Sequence, residues 1–435
     1  MIPDPFFMDR RSLLKSGGAA LLGLGLAGCR TTGAAGARVT RPAIRLTLPP
    51  VLASWDRIIR TTVGLRPHRP AGFNVSAEKL DDKTVVHNYG HGGAGHSLGW
   101  GCGLLSAELA LAHPDRRAAV IGCGTVGLTA ARQLQRRGFD VTIYTKAVPP
   151  DTTSNMALAA FTPTSGLIST EASPAFASQF RRGVEVAYRE LQLLAGRDYG
   201  VSWIDSFNTT DTATPGGRDT NPNAGGAGTN FRGSEMGGLI PPGVEESIGR
   251  IVLGPGEHPF PSQYAIWRRQ MRIEPSIYLD ALVRDFLMFN GRIVIRAFDT
   301  PRDLMALDER VIVNCTGLGA RTLFGDNTMF PVKGQLTVLI PQPEVNYSCR
   351  AMPRRDGIAL GTTQERGVDT LQPNPEAQQR IVDACIKFYS AMRPIPRGTT
   401  LGRVELPGSP PHGSGAVGWL PRDVPPVESF FGLES

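Results

Sequence analysis

The 435-residue chain lacks the charge pattern of a nucleic-acid-binding protein. Its net charge is +7, but the basic residues are scattered, with no long Lys/Arg run and no basic stripe interleaved with aromatics. A clustered basic patch is the electrostatic footprint of nucleic-acid binding, so no such partner is expected. A mildly basic surface instead suits an anionic substrate or an acidic membrane face.

Cysteine spacings typical of metal sites are also absent. The six cysteines form no CxxC pair and no Cys/His pattern of the zinc type, so no metal site is predicted. Cys102, Cys123 and Cys315 each lie in an apolar or glycine-rich run, which indicates buried thiols. Aromatic residues make up only 7% of the chain, which still suffices for a core, and the length suggests about two domains.

The N-terminal apolar run is too short for a comfortable membrane span. Residues 8–29 read MDRRSLLKSGGAALLGLGLAGC, with paired arginines, a Gly/Ala-rich apolar stretch and Cys29 at the end. This pattern resembles a twin-arginine export signal with a lipoprotein cleavage box. It predicts an exported bacterial protein, periplasmic or held at the membrane by a lipid on Cys29. A plain N-terminal anchor and a wrongly placed start are the alternatives.

Short strands alternate with helices along residues 83–145. Strands are predicted in DKTVVHNYG, AAVIG and FDVTIYT, and helices in GWGCGLLSAELALAH and TVGLTAARQLQRRG. Strands joined through helices on short connections give a parallel sheet. The predicted fold class is therefore α/β, with a Rossmann-like nucleotide-binding domain.

The pattern beyond residue 163 is less regular. Helices are predicted in FRRGVEVAYRELQLLAG, EPSIYLDALVRDFLMFNG and NPEAQQRIVDACIKFYSAM, and strands in GRIVIRAF, RVIVNCTG, VKGQLTVLI and GIALGTT. Residues 208–232 are polar and of low complexity, which indicates a long loop. The VKGQLTVLI and GIALGTT strands are assigned to a second, α+β domain with a mixed sheet, and no internal repeat is visible.

Of two glycine-rich loops, the one that comes later in the chain has the spacing of a dinucleotide-binding loop. Gly122-Cys123-Gly124-Thr125-Val126-Gly127 is a GxGxxG that follows an apolar strand and opens a helix. Its glycines would permit a tight turn, a close backbone approach to a pyrophosphate and close packing of the helix on the sheet. Backbone N–H groups and the helix dipole would hold the phosphates. A glycine-rich turn of another α/β fold is the alternative.

The strand after this helix departs from the dinucleotide-binding pattern. An acidic residue normally ends it and binds the ribose hydroxyls, but here the strand ends Ile143-Tyr144-Thr145-Lys146. Thr145 is expected to hydrogen-bond a ribose hydroxyl in place of the acid, and Lys146 to meet a phosphate.

The other glycine-rich loop, which comes earlier in the chain, also precedes a helix; it reads His91-Gly92-Gly93-Ala94-Gly95-His96-Ser97. A second helix amino end at the same ligand would add positive potential there. A reduced flavin is anionic around its N1 and O2 atoms, and a helix dipole at that position would stabilise the charge and raise the electron affinity. Two helix ends thus fit FAD, which has two negative regions, whereas NAD would need only the helix end at the GxGxxG loop.

Four segments together carry a family signature. VVHNYGHGGAGHSLGWGCG, VIGCGTVGLTAARQLQRRGFDVTIYTKAVPPDTTSNMALAAFTP, RVIVNCTG and VKGQLTVL closely resemble the D-amino-acid oxidase family of flavoproteins, over roughly residues 60–392. In that family the histidine–glycine segment closes the chain, whereas here it precedes the GxGxxG strand. The order resembles a circular permutation with HPDRR as the new join, which is possible if the original ends lie close together.

The resemblance implies roles for individual residues. GLRP matches the family's arginine segment, so Arg66 would grip a substrate carboxylate in a bidentate fork, and the Gly93 carbonyl would bind the substrate amine. The family's substrate tyrosines have no clear match, and Tyr347 is either the one candidate or an ordinary loop tyrosine. Nearby Arg350, Arg354 and Arg355 would favour acidic substrates or form an exposed charged run. The implied cofactor-binding residues are Gly92, Gly93, Ala94, Gly95, His96, Ser97, Gly122, Gly124, Thr125, Val126, Gly127, Thr153 and Ser154 (phosphate or ribose), Ala159 and Ala160 (flavin), Phe298 (adenine), Thr316 and Gly317.

The implied domain layout interleaves the two domains. Residues 1–29 would be the export signal, 30–45 a tether, 46–162 and 291–325 the FAD-binding domain, 163–290 and 326–392 the substrate domain, and 393–435 a Pro/Gly-rich tail.

The implied activity is FAD-dependent oxidative deamination of D-amino acids to 2-oxo acids and ammonia, with electrons passed to oxygen to give hydrogen peroxide. The alternatives are a dehydrogenase that uses a membrane electron acceptor, an oxidase for D-aspartate, glycine or sarcosine, and a flavin-binding envelope lipoprotein without catalysis. The expected partners are a small amino-acid substrate and oxygen or a membrane acceptor.

Overall fold

The computed structural model describes residues 48–158, 160–165, 174–211, 239–244 and 249–393. The strands are β1 (Ile58–His68), β2 (Asn74–Leu80), β3 (Lys83–Tyr89), β4 (Arg117–Ile121), β5 (Asp140–Thr145), β6 (Val201–Thr210), β7 (Ile251–Leu253), β8 (Tyr264–Ile273), β9 (Arg292–Ile295), β10 (Val311–Asn314), β11 (Phe330–Leu339), β12 (Tyr347–Ser348), β13 (Ala351–Arg354), β14 (Gly357–Leu360) and β15 (Glu365–Arg366). The helices are α1 (Gly95–Ala110), α2 (Thr125–Gln135), α3 (Pro174–Leu194), α4 (Pro275–Met288), α5 (Gly319–Leu323) and α6 (Pro375–Ser390), and 3-10 turns lie at Trp55–Arg57, Thr153–Met156 and Pro301–Ala306.

One sheet has the order β2-β3-β10-β4-β5-β9, and its neighbouring strands are parallel except in the β2–β3 hairpin. Helices α1 and α2 pack on one face, and the segment around Leu304 and Leu307 covers the other. Strand β10 is therefore buried throughout, as expected of a covered parallel sheet. The predicted parallel α/β unit is confirmed, and the loops after β3, β4, β5 and β10 meet at the carboxyl edge of the sheet.

Glycines of α1 allow three helices to approach closely. A Cβ on Gly103 would lie 3.0 Å from the Ala130 nitrogen of α2, and one on Gly101 would overlap the Gly183 carbonyl of α3. Glycine inside a helix costs about 0.5–1 kcal/mol relative to alanine, so its presence here has a packing reason. The GWGCG run keeps its glycines within the helix because neighbouring backbones fill the space that side chains would take.

The second half of the fold is built from two further sheets. One is antiparallel, with the order β1-β11-β14-β13 and β15 paired to β11. The other, β12-β6-β8-β7, is mixed because β12 runs parallel to β6. The predicted combination of a parallel sheet with an α+β part that contains a mixed sheet is therefore present, but the VKGQLTVLI and GIALGTT strands, β11 and β14, lie in the antiparallel sheet and not in the mixed one.

The structure differs from the predicted domain layout at two elements. Strand β1 was assigned to the FAD-binding domain, but it pairs with β11 from Ile58↔Leu339 to His68↔Phe330. Helix α4 was assigned to the substrate domain, but it packs on α2, where Gln135 Nε2 donates to the Phe286 carbonyl at 3.0 Å. These partners are distant in sequence, so local patterns did not reveal them.

The predicted buried thiols are confirmed. All five cysteines in the described part of the chain are free and buried. Burial raises the pKa of Cys123 to about 12, and it also raises the pKa of Cys102 and Cys315. These thiols are therefore protonated at neutral pH and are poor nucleophiles.

Several sequence predictions lie outside the described residues: the export signal with Cys29, the tether, Ala159, most of the 208–232 loop and the tail after residue 393. Within the described ranges, no helix combines the length and apolarity needed to cross a membrane. The same ranges contain no group of three or more His, Cys, Asp or Glu residues suited to hold a metal ion.

Candidate functional site

The GxGxxG loop makes a tight turn between β4 and α2. Gly122 has a φ of +112°, and a Cβ there would lie 2.6 Å from the Cys315 carbonyl oxygen. A Cβ on Gly127 would overlap the Gly122 carbonyl, so both positions require glycine. The N-cap Gly124 supplies no side-chain hydrogen bond and the first turn of α2 has no acidic residue. Apart from the Thr125 N–H, which donates to Ser154, the amino end of α2 is therefore open to an anion.

Ser154 reaches the amino end of α2 from the Thr153–Met156 turn. Its Oγ accepts a hydrogen bond from the Thr125 N–H at 3.0 Å. The turn rests against β1, where a Cβ on Gly64 would lie 3.0 Å from Met156 Cβ. Ser154 thus lies at the predicted phosphate position with its hydroxyl already used by α2, while Thr153 on the same turn is exposed.

The histidine–glycine loop lies beside this turn. Gly92 has a φ of +53° and its N–H donates to the Pro67 carbonyl at 2.8 Å, while the Gly93 N–H donates to the Ser165 carbonyl at 3.0 Å. The N-cap of α1, Ala94, supplies no side-chain hydrogen bond, and the first turn has no acidic residue. The amino end of α1 is therefore a second open anion-binding end.

His96 joins the amino ends of α1 and α2. Its Nδ1 lies 2.9 Å from Thr125 Oγ1, and its Nε2 lies 2.9 Å from the Ser154 carbonyl oxygen. The two helix ends are neighbours, as the sequence predicted. Because both ring nitrogens contact protein, only the backbone amide of His96 remains for a ligand.

Arg66 extends from β1 next to Gly93. A Cβ on Gly93 would lie 3.4 Å from Arg66 Cδ. Nη2 donates to Thr362 Oγ1 at 2.6 Å and Nη1 to the Thr363 carbonyl at 3.1 Å. A Cβ on Gly334 of β11 would lie 2.5 Å from both terminal nitrogens, so this glycine makes room for the guanidinium. The structure thus brings together Arg66 and Gly93, as predicted.

The guanidinium of Arg66 is half-buried, and no charged group of the described residues balances it. Desolvation lowers its pKa, and no charged group of the described residues counteracts this. Leaving a charge buried and unpaired costs several kcal/mol, about 3–5 when a partner is removed. Arginine has five N–H donors, and the two threonines accept only two hydrogen bonds. The site therefore retains both the need for an anion and the donors to bind one.

The residues predicted to contact the adenine and the ribose lie at or just after the carboxyl ends of β5 and β9. Thr145 is buried and its Oγ1 donates to the Ala147 carbonyl at 2.7 Å, while Lys146 is exposed. The half-buried Phe298 ring packs edge-on against Tyr144, with centroids 5.9 Å apart. Thr145 keeps acceptor capacity only, since its hydroxyl proton is used within the turn.

The NCTG turn packs on the GxGxxG loop. The Cys315 N–H donates to the Ile121 carbonyl at 2.9 Å, and Gly317 has a φ of +58°. Thr316 Oγ1 donates to Asn314 Oδ1 at 2.7 Å. The predicted residues Thr316 and Gly317 therefore lie beside the open end of α2, with the threonine hydroxyl engaged in the turn.

The segment before Thr162 is tied to α1. Ser97 Oγ donates to the Ala160 carbonyl at 3.3 Å and accepts from the Thr162 N–H at 2.8 Å. The side-chain hydroxyl of Ser97 thus positions the predicted flavin-lining segment instead of remaining free.

Tyr347 is not part of this site, so its prediction as a substrate-contacting residue is wrong. The ring is 1% exposed and packs with Phe207 and Phe260. Its hydroxyl donates to the Pro49 carbonyl at 2.8 Å, and burial raises its pKa. Aromatic packing in the core of the second half explains this tyrosine.

The arginines near Tyr347 do not form one exposed run. Arg354 is buried, pairs with Asp356 at 2.8 Å and donates from Nη1 to the Ala157 carbonyl at 3.0 Å. Arg355 is exposed and lies 3.8 Å from Glu274. Arg354 therefore ties β13 to the segment that precedes Ala160.

Sequence reasoning missed Thr362, Thr363 and Gly334, which hold or accommodate the guanidinium, and Ser165, which accepts from Gly93. The strands VKGQLTVLI and GIALGTT contain three of them. A glycine inside a strand pattern was the available signal, since it often marks a close approach.

Several known proteins are similar to this chain over more than half of its length. The chain is 28% identical over 293 residues to a D-amino-acid oxidase of Streptomyces coelicolor, which covers 64% of this chain and 78% of that protein. It is 26% identical over 357 residues to a D-amino-acid oxidase of Rubrobacter xylanophilus, which covers 73% and 94%. A crystal structure of glycine oxidase from Geobacillus kaustophilus matches with a TM-score of 0.45 and 18% identity over 63% of this chain and 78% of that one. Residues 117–418, more than half of the chain, match the DAO family of FAD-dependent oxidoreductases, and the protein belongs to that family.

Proposed function

We propose that this protein oxidatively deaminates D-amino acids to 2-oxo acids and ammonia, with FAD as its cofactor and oxygen as the electron acceptor. The observation that carries the proposal is the half-buried guanidinium of Arg66, which no charged group of the described residues balances, beside Gly93 at the amino end of α1. A planar guanidinium binds a carboxylate through two parallel hydrogen bonds, which suits an amino-acid substrate. Relatives named D-amino-acid oxidase support the same substrate class.

The residues of the site fit FAD. Gly122 and Gly127 allow the backbone approach that a pyrophosphate needs, and the open end of α2 would bind it. The open end of α1 would face the pyrimidine side of the flavin, where negative charge develops. Lys146 and Phe298 would contact the nucleotide at the ends of β5 and β9. When bound, FAD supplies the acceptor for a hydride from the substrate.

The protein's own contribution is to bind and orient the substrate. Arg66, held by Thr362 and Thr363, would fix the carboxylate. The Gly93 N–H is used by Ser165, and no described N–H donates to the Gly93 carbonyl, which is therefore free to accept from the substrate amine. Positioning of this kind can supply much of a barrier reduction without an acid–base side chain. The imino product would then hydrolyse in water.

An anaerobic flavin-bleaching screen over D- and L-amino acids tests the proposal without assuming an acceptor. We expect bleaching by D-amino acids and none by their L-enantiomers. Arg66→Ala is expected to stay yellow, because it keeps both helix ends, but to lose bleaching at ordinary substrate concentrations. A yellow protein that no D-amino acid bleaches would instead support the flavin-binding lipoprotein alternative.

A dehydrogenase is the second candidate, and the export pattern of residues 8–29 favours it because a membrane-held enzyme lies near quinone acceptors. We propose that this segment directs export and that Cys29 receives a lipid. Turnover with oxygen is to be compared with turnover with a soluble quinone. Fractionation of cells with Cys29→Ser, and with both arginines at positions 10 and 11 changed to lysine, tests the lipid and the export route separately.

We also propose that the chain is a circular permutation of the family order. The family match begins at Arg117, the first residue of β4, and so leaves out Arg66 and the histidine–glycine loop. Tyr347 contacts both ends of the described chain, since its hydroxyl donates to the Pro49 carbonyl at 2.8 Å and lies 3.7 Å from Met392 Sδ.

Ends that meet in this way are what a permutation requires. A gene that joins residue 393 to residue 48 and opens the chain within the HPDRR segment, residues 113–117, should give a protein that still binds FAD. An insoluble or FAD-free product would count against the permutation.

A further inference from the structure

We infer that His96 is a positioning residue: a neutral imidazole that locks the amino ends of α1 and α2 and the Thr153–Met156 turn together, so that FAD meets both helix ends at a fixed spacing. This inference rests on the proposed placement of FAD across the two ends, but it does not depend on which substrate is oxidised.

The hydrogen-bond partners of His96 determine its tautomer. Nε2 lies 2.9 Å from the carbonyl oxygen of Ser154, and a carbonyl can only accept, so Nε2 carries the proton. In the neutral ring Nδ1 is then an acceptor, and it accepts a hydrogen bond from the Thr125 hydroxyl at 2.9 Å. The imidazole is therefore a one-donor, one-acceptor bridge with a defined direction.

The bridge closes a ring of hydrogen bonds among three segments. Ser154 Oγ accepts from the Thr125 N–H at 3.0 Å, while its carbonyl accepts from His96. Thr125 thus contributes its backbone N–H to the turn and its hydroxyl to α1. Each of the three residues contacts both others, so loss of the imidazole removes two of the three links at once.

The environment of His96 keeps the bridge neutral. The side chain is buried, and desolvation lowers its pKa to about 4. The ring therefore adds no charge between two helix ends that each carry about half a positive charge. An apolar residue of similar size would leave the buried Thr125 hydroxyl without its acceptor, and the Ser154 carbonyl with only a long bond from the Ala157 N–H at 3.4 Å.

The dissociation constant of FAD, measured by quenching of flavin fluorescence on titration of the apoprotein, tests the inference. His96→Leu is expected to weaken FAD binding roughly tenfold to hundredfold, because the helix ends lose their fixed spacing. His96→Gln can still donate to the Ser154 carbonyl and should recover most of the affinity. His113→Gln, a histidine substitution in the α1–β4 turn, is the matched control and should leave the affinity unchanged.

A second readout separates positioning from general stability. Ring ¹⁵N signals, assigned with the His96→Gln protein, should show Nε2–H and an unprotonated Nδ1 down to about pH 5. Should His96→Leu fold and bind FAD as tightly as the parent while only its melting temperature falls, His96 is merely structural and the inference is overturned. A ring protonated at pH 6, or protonated at Nδ1 alone, overturns it as well.

If His96→Leu does not fold, Thr125→Val provides a second test of the same bridge. It removes the hydroxyl that donates to Nδ1 and should weaken FAD binding less than loss of the whole bridge. Combined with His96→Gln, its effect should be less than additive, because both act on one link; full additivity contradicts the bridge. Should FAD affinity depend on His96 while no amino acid bleaches the flavin, the proposed function fails and this inference stands.

Discussion

Gly334→Ala should damage substrate binding without touching any atom that contacts the cofactor. The added Cβ would lie 2.5 Å from both terminal nitrogens of Arg66, well inside any real contact distance. Since β11 is hydrogen-bonded to β1 and β14, the guanidinium has to move rather than the strand. It then leaves Thr362 and Thr363 and the position from which it would grip a carboxylate.

The size of the effect follows from the interactions lost. Hydrogen bonds to charged groups contribute about 1.5–3 kcal/mol each, and a displaced guanidinium loses the substrate's two. A net loss of about 3–4 kcal/mol in transition-state binding corresponds to roughly a hundredfold to thousandfold fall in kcat/KM. Most of it should appear as a higher KM, because the carboxylate contact is made equally in the bound substrate and the transition state.

Steady-state kinetics with a D-amino acid, together with the FAD dissociation constant, is the assay. Gly243→Ala is the matched control, since a Cβ at Gly243 meets nothing within 4 Å and its backbone is not in the left-handed region. Parental KM and FAD affinity in the Gly334→Ala protein would refute the assignment of Arg66 as the carboxylate-binding group. If KM stays at the parental value while the FAD dissociation constant rises, β11 supports the cofactor instead.

Three further predictions concern other parts of the molecule. Gly122→Ala should abolish FAD binding, because its φ of +112° and the Cys315 carbonyl 2.6 Å away leave no room for a Cβ; FAD content of the purified protein measures this. Tyr347→Phe should lower the free energy of unfolding by about 1 kcal/mol through loss of the bond to Pro49 and leave KM unchanged, whereas a raised KM would restore a substrate role. The pKa of His96, about 4, lies below the usual 6.5, so the folded state binds fewer protons than the unfolded state. The free energy of unfolding that the neutral ring contributes is complete above about pH 6.5 and falls by about 3 kcal/mol towards pH 4. Urea titrations at a series of pH values should therefore show a weaker acid dependence for His96→Gln than for the parent.

The parallel sheet and its loops could be predicted from the sequence because their signals are local. Apolar runs such as Val311–Asn314 are typical of strands covered on both faces, and glycine spacing marks the turns at their carboxyl ends. Parallel strands bring those ends to one edge, so the meeting of the two helix ends also followed from the pattern. Here physical principles and the family resemblance gave the same answer.

The rest of the site depends on contacts between residues far apart in the chain. A glycine inside a strand pattern marks a close approach at Gly334, but the local sequence does not show that the approaching group is Arg66, because the pairing of β1 with β11 carries no local pattern. The same holds for Thr362, a strand-end threonine like many others until the fold places it 2.6 Å from a guanidinium. Tyr347 was misread for the converse reason, since a tyrosine is compatible with a substrate contact until its hydroxyl is found bonded to Pro49.

Strand β1 would explain how the permuted order that we propose could still yield the same site. Its residues pair with β11 as far as His68, so Arg66 is fixed on the substrate side, and the chain then continues through the β2–β3 hairpin to Gly93. The proposed new join, HPDRR at residues 113–117, lies after α1, at the end of that helix opposite the site. The join itself therefore takes no part in the contacts that would bind substrate and cofactor, whereas Arg66 and His96 before it still reach their partners after it. Chain order can change there because the site depends on which strand ends and helix ends meet, not on the order in which they are connected.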